Sequence, residues 1–258
     1  MYTSHLVADG TYYFAGAYEQ VGIGMLPVNF YAIKGSKKTI LIDTGAPPQA
    51  GDALKALKSV IDPKTIDYIF ITHMDIDHYG GLKAILDEAP NAQLVGNLTN
   101  MLKGVMWDGL PPPRFAVVWP GQEIDLGDRK LRAEPAFLED TWTFWLSDEK
   151  TQTLFASDAF GAMQFGPPAA FAEEQPAGSF AAGFTMWHQA NFTTIPMLDK
   201  NMYREAFAAL QKRGFKNLAS VHGPFIRKDV DQAFELIQGV PTAAPLGVPP
   251  LPPIFNLR

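Results

Sequence analysis

Short apolar runs punctuated by polar turns set the pattern of this chain. Val28-Asn29-Phe30-Tyr31-Ala32-Ile33 and Thr39-Ile40-Leu41-Ile42-Asp43 read as strands, joined by the turn-prone Lys34-Gly35-Ser36-Lys37-Lys38. Leu54, Leu57 and Ile61 recur at helical spacing and Pro63 closes the segment, so residues 53–61 predict a helix. The run Ile66-Asp67-Tyr68-Ile69-Phe70-Ile71 predicts a buried strand, residues 81–86 a short helix and residues 93–96 a further strand. Between Gly104 and Gly121 the period is lost, and this stretch, with Trp107, Pro111–Pro113, Arg114 and Trp119, reads as a long loop. Arg114 is a candidate receiver of a substrate carboxylate.

The second half repeats the mixture. Residues 124–131 predict a hairpin turning at Gly127-Asp128, and residues 143–146 and 153–157 predict two more strands. A second irregular stretch, residues 160–192, is rich in glycine, alanine and aromatic rings such as Phe165, Phe171, Phe184 and Trp187, and could form an apolar lid. Helices are predicted at 203–212 and 229–238, with a strand at 217–221 between them. Two halves that each mix hairpins with helices predict an α/β protein, a sandwich of two sheets flanked by helices. Residues 1–239 are expected to form that domain, and the proline-rich residues 240–258 an extended arm.

Composition narrows the function. With 258 residues, 47% hydrophobic and 19% charged, the chain can bury a sizeable core. A net charge of -6 argues against binding nucleic acid. The first residues show neither a basic region nor a long apolar one, and no apolar stretch reaches spanning length, so a cytoplasmic protein without membrane contact is expected. No cysteine is present, which removes thiolate sites, iron–sulfur clusters and a cysteine nucleophile; any metal must be held by nitrogen and oxygen.

The candidate chemistry sits at strand ends, where α/β proteins build sites. Thr72-His73-Met74-Asp75-Ile76-Asp77-His78 follows the strand predicted at 66–71. Asp158, in Phe155-Ala156-Ser157-Asp158-Ala159-Phe160-Gly161, and His222, in Ser220-Val221-His222-Gly223, follow two others. Imidazoles and carboxylates at this density are poor core material without a metal. His73 and Asp75 can face one side of the turn while Asp77 and His78 reach a second position. That layout suits two metals about 3.5–4 Å apart with Asp158 bridging them.

These motifs resemble the metallo-β-lactamase superfamily, and within it the diiron domain of flavodiiron and related oxygen-binding diiron proteins. The superfamily carries His-x-His-x-Asp-His. The diiron branch has a carboxylate at the second histidine, usually glutamate, where this chain has Asp75. Leu41-Ile42-Asp43-Thr44-Gly45 is similar to the superfamily's first motif, whose aspartate braces the site. The resemblance spans roughly Asn29 to Arg227 and implies the αββα metallo-β-lactamase fold, with two mixed sheets. It assigns His73, Asp75 and bridging Asp158 to one metal, and Asp77, His78, His222 and the same Asp158 to the other. A family histidine is missing from Pro135-Ala136-Phe137-Leu138-Glu139-Asp140-Thr141. Asp140 stands where hydrolase members place it, and Glu139 is the neighbouring candidate.

Without sulfur, and with several carboxylates, the donor set is hard and suits two ions of iron or manganese, with zinc as an alternative. The first function expected is a diiron oxidoreductase that binds or reduces dioxygen or nitric oxide. It would take electrons from a separate donor protein, with flavin supplied by a partner; the family habit also implies a homodimer. Asp77 joins the catalytic set, and His188 is the candidate proton donor at the mouth. The alternative is hydrolysis of an ester, thioester or lactone by a metal-bound hydroxide. A sensor or scaffold that has lost one metal is a third.

Overall fold

The computed structural model describes residues 1–20, 24–100, 102–103, 109, 114–139 and 142–243. The first sheet contains β1 (Thr3–Ala8), β2 (Thr11–Ala15), β5 (Phe30–Lys34), β6 (Thr39–Ile42), β7 (Tyr68–Phe70), β8 (Gln93–Gly96) and β9 (Phe115–Val117), hydrogen-bonded in that order. Between β2 and β5 the chain makes a separate hairpin, β3 (Ala17–Gln20) with β4 (Gly24–Pro27). The second sheet runs β10 (Glu123–Asp125), β11 (Lys130–Pro135), β12 (Phe144–Asp148), β13 (Thr153–Phe155) and β14 (Asn217–Ala219). Strands β6 to β9 are parallel, as are β13 and β14, while the other neighbours are antiparallel, so both sheets are mixed.

Side chains alternate across these strands, and each face finds its own core. Ile40 and Ile42 point between the sheets, where they join Tyr31, Phe70, Leu131, Leu146 and Phe155. Leu41 points outward with Phe30 and Ile69 against α1 (Ala50–Lys58) and α3 (Leu82–Glu88), which contribute Leu57 and Ile85. Each such fully buried aliphatic side chain stabilises the fold by about 1.5–3 kcal/mol. Beyond the second sheet, Trp145 and Leu154 meet Phe184, Phe207 and Phe234. Those rings come from helices Ser179–Asn191, Lys200–Gln211 and Val230–Gly239, here α4, α5 and α6; α2 is the single turn Ile76–Tyr79. The layers are therefore α, β, β, α.

Two parts of the sequence reading are corrected. The stretch 160–192 contains α4, whose buried Gly183, Phe184, Trp187 and His188 make one helical face. The stretch 104–121 includes the strand β9 at Phe115–Val117 before returning to a turn. Residues 104–108 and 110–113, with Trp107 among them, lie outside the described residues, as do residues 244–258 of the arm expected over 240–258. The first residues of that stretch are not extended: Val240–Thr242 form a 3-10 turn, with Val240 buried in the outer core. Arg114 donates to the carbonyls of Ala92 (2.8 Å) and Ala89 (3.2 Å), so it braces backbone at the end of α3.

Strand direction places the site. The carboxyl ends of parallel β6 and β7 lead into Asp43 and Thr72-His73, and those of β13 and β14 lead into Ser157-Asp158 and Ser220–His222. Asn29, just before β5, ties the first sheet to the His222 turn, donating to the carbonyls of Ser220 (3.1 Å) and Gly223 (2.6 Å).

Candidate metal centre

Each of the three histidines is anchored through Nδ1; Nε2 of His78 and that of His222 turn toward a common point, while Nε2 of His73 lies 3.5 Å from Asp75 Oδ2. His222 Nδ1 donates to the Pro27 carbonyl at 2.8 Å. His78 Nδ1 lies 3.1 Å from Asp43 Oδ2, and His73 Nδ1 3.1 Å from Ser157 Oγ. Ser157 Oγ donates to Thr72 Oγ1 at 3.0 Å, and Thr72 Oγ1 donates to Asp43 Oδ2 at 2.9 Å, so His73 and His78 share one network. Fixing one ring nitrogen in this way sets the tautomer and orients the other as a ligand.

At the common point, Asp158 Oδ1 lies 3.0 Å from His78 Nε2 and 3.5 Å from His222 Nε2. The two imidazole Nε2 atoms are 3.2 Å apart, and Asp77 Oδ2 is 3.4 Å from that of His222. Although buried, Asp158 Oδ1 accepts no hydrogen bond of acceptable geometry. Donors bound tetrahedrally to one ion at about 2.1 Å stand about 3.4 Å from one another. The observed separations have that size, and an ion there would replace the His78 contact as partner of an oxygen that accepts no well-formed hydrogen bond. A metal fits here.

Two sets of donor atoms each lie within 4.8 Å of one another: Asp77, His78 and His222, and His73, His78 and Asp158. His78 thus stands between the two positions, which differs from the sequence assignment of His78 to one of them. Asp75 belongs to neither set; its side chain is 75% exposed, with Oδ2 3.5 Å from His73 Nε2.

Burial alone would hold His78 neutral, but Asp43 and Asp158 outweigh it and raise its pKa well above the ordinary imidazole value. His222 is shifted down, chiefly by burial. Burial pushes the Asp158 carboxyl up, yet His222 and His78 prevail and hold it well below the carboxylate range.

Asp140 lies outside the described residues. Its neighbour Glu139 is at the site: Oε1 accepts from Trp145 Nε1 (3.0 Å) and from the amides of Asp158 (3.2 Å) and Ala159 (3.0 Å). Glu139 Oε2 is buried without a partner, and burial with the nearby Asp158 raises this carboxyl to about 7. Glu139, His73, Asp75 and Asp158 line an open cavity of about 360 Å³ walled by Leu138 and Phe192. His188 is fully buried beneath the site with both ring nitrogens engaged: Nδ1 with the Phe184 carbonyl (2.7 Å), Nε2 with the Phe160 amide (3.1 Å).

Sequence reasoning did not single out Thr72, Ser157, Asn191 or the Pro27 carbonyl. Thr72 and Ser157 each directly precede a candidate ligand, a signal that was available. Asn191, whose Nδ2 donates to Asp158 Oδ2 at 3.0 Å, carries no such mark.

A family model for the metallo-beta-lactamase superfamily matches residues 23–212. The chain belongs to this superfamily. Among curated relatives, type A flavoprotein fprA of Rhodobacter capsulatus is 28% identical over 204 residues, 77% of this chain and 45% of that protein. The anaerobic nitric oxide reductase flavorubredoxin of Vibrio vulnificus is 31% identical over 138 residues, 52% of this chain and 27% of that protein. The chain spans less than half the length of these relatives. Of solved structures, the rubredoxin oxygen:oxidoreductase of Desulfovibrio gigas superposes with a TM-score of 0.80 at 21% identity, over 93% of this chain and 62% of that one. The chain therefore has the metallo-β-lactamase fold and resembles the diiron domain of flavodiiron proteins. No helix among the described residues is long and apolar enough to cross a membrane.

Proposed function

We propose that this chain holds a dinuclear non-haem iron centre and uses it to bind or reduce dioxygen or nitric oxide. The observation that carries the reading is the convergence of Asp158 Oδ1 with the Nε2 atoms of His78 and His222, at 3.0 Å and 3.5 Å, with all three imidazoles anchored from behind. Asp77, His78, His222 and Asp158 would hold one ion. His73 and Asp158 would hold the other, with Asp75 turning in from solvent and His78 between the two. Three imidazoles, three aspartates and no sulfur favour iron or manganese.

Bound there, the ions supply redox chemistry toward a diatomic ligand. The chain's own residues hold the geometry: Asp43 and the Pro27 carbonyl fix imidazole tautomers, while Leu138 and Phe192 wall the cavity. Asp77, only 30% exposed at its side chain, is the carboxylate we keep in the catalytic set. His188 we assign to positioning, because neither ring nitrogen is left to deliver a proton. The names of two similar proteins, a rubredoxin oxygen:oxidoreductase and a nitric oxide reductase, support the substrates and suggest a rubredoxin-type donor, with flavin from a partner.

Elemental analysis of protein purified without added metal, with spectra under nitrogen and then air, tests this. About two irons per chain and an air-sensitive spectrum are expected; zinc with a spectrum indifferent to air overturns the redox reading. A metal-dependent hydrolase is the second reading, favoured by the roughly 360 Å³ cavity, which is roomier than a diatomic gas needs. Turnover of esters, thioesters or lactones by zinc- or manganese-loaded protein, lost in His78→Ala, is its test.

A further inference from the structure

Three side chains of α4 grip the same turn. Trp187 Nε1 donates to the Asp158 carbonyl at 2.8 Å, His188 Nε2 accepts from the Phe160 amide at 3.1 Å, and Asn191 Nδ2 donates to Asp158 Oδ2 at 3.0 Å. At i, i+1 and i+4 they share one helical face, so a single element addresses both the backbone and the carboxylate of Asp158. From the opposite side, Glu139 Oε1 accepts the Asp158 amide. The turn requires holding, because Ser157 and Phe160 both have left-handed backbone, φ 52° and 60°. Such a conformation costs residues other than glycine about 1 kcal/mol or more.

The two oxygens of Asp158 consequently differ. Oδ2 is taken by Asn191, whereas Oδ1 faces His78 Nε2 and His222 Nε2 with no hydrogen bond of its own. A carboxylate bridging two ions through both oxygens would have to share Oδ2 between the Asn191 amide and an ion. The flanking aspartates differ as well: the Asp77 side chain is 30% exposed, that of Asp75 75%.

We propose that Asn191 is a positioning residue of the metal centre: by holding Oδ2 it turns Asp158 Oδ1 toward His78 and His222. The position among Asp77, His78 and His222 is then the tighter of the two, and the position beside His73 and Asp75 is weak and loads second. The proposal rests on the metal-centre reading above and is indifferent to which substrate is turned over.

Titration of the metal-free full chain with zinc(II) against a competing chelator tests it, reading two dissociation constants for wild type, Asn191→Leu and Asn191→Asp. In both variants the tight constant should weaken about 10- to 100-fold, the usual effect of losing an outer-shell partner. The weak constant should move far less, so the gap between the two narrows, with little change in the melting temperature of the metal-free chain. A purely structural role would lower the melting temperature and weaken both constants by one factor, which overturns the proposal. So would constants that match wild type. A wild-type chain that takes up no zinc, iron or manganese would remove the metal-centre reading itself, and the proposal with it.

Discussion

Asp43 Oδ2 lies 3.1 Å from His78 Nδ1, with both side chains fully buried. The same carboxylate accepts the Thr72 amide at 2.8 Å, so one side chain fixes both the imidazole and the strand end that carries it. Asp43 has φ 59°, a left-handed conformation that asparagine tolerates better than most residues. Asp43→Asn therefore removes the charge while sparing the backbone. Metal affinity should fall about 10- to 100-fold in a chelator competition titration. Asp43→Ala, which also leaves the Thr72 amide unpaired, should in addition lower the melting temperature. Unchanged affinity in Asp43→Asn would show that the carboxylate acts on the fold alone.

Deleting individual ligands should separate the two positions. Asp158 Oδ1 lies beside both His78 and His222, and Asp158 is also grouped with His73, so Asp158→Ala should deprive both positions and leave well under one ion per chain. Asp75 points largely to solvent, and Asp75→Ala should cost only the weaker ion. Metal counting after dialysis distinguishes them. Equal occupancy in the two variants would mean that burial of the donor does not rank the positions.

How much of this was legible depended on locality. His73, Asp75, Asp77 and His78 fall within one short segment after an apolar run, and that contiguity exposed them. Strands β5 and β6 were readable because both faces are buried, which makes their apolar runs continuous. Helix α4 was hidden by its own packing. Gly183 disfavours a helix, yet a Cβ there would meet the Met163 carbonyl oxygen at 1.9 Å, so tertiary contact imposes a residue that local propensity counts against. Asn191 was invisible for a different reason: its partner Asp158 is distant in sequence, and no spacing rule joins them.

Glu139 and Asp140 can be told apart by isosteric change. Glu139→Gln keeps an oxygen for the amides of Asp158 and Ala159 but puts a nitrogen where the unpartnered Oε2 stands. If that oxygen completes the position beside His73, this variant should bind the second ion weakly while Asp140→Ala binds it normally. The wild-type carboxyl, raised to about 7 by burial and Asp158, must lose its proton to bind, so uptake at this position should strengthen as pH rises through 7. Normal second-ion binding in Glu139→Gln would leave Glu139 as a support for Asp158 only.

His188 makes the stability of the fold depend on pH with a definite sign. Burial lowers its pKa from the ordinary 6.5 to about 4, while both ring nitrogens serve the backbone of Phe184 and Phe160. Between pH 6.5 and 4 the unfolded imidazole takes up a proton that the folded one refuses. The unfolded state then binds more protons, so the contribution is fully present above 6.5 and is lost as pH falls toward 4. A gap of that size is worth about 3 kcal/mol. His188→Gln, which cannot titrate, should start less stable at neutral pH, because the ring's packing and its two backbone bonds are disturbed. Its denaturant-unfolding free energy should nevertheless decline less steeply than that of wild type over the same acid range. Parallel curves for the two proteins would mean that His188 is already protonated, or solvated, in the folded state, and the role assigned to it beneath Asp158 would have to be given up.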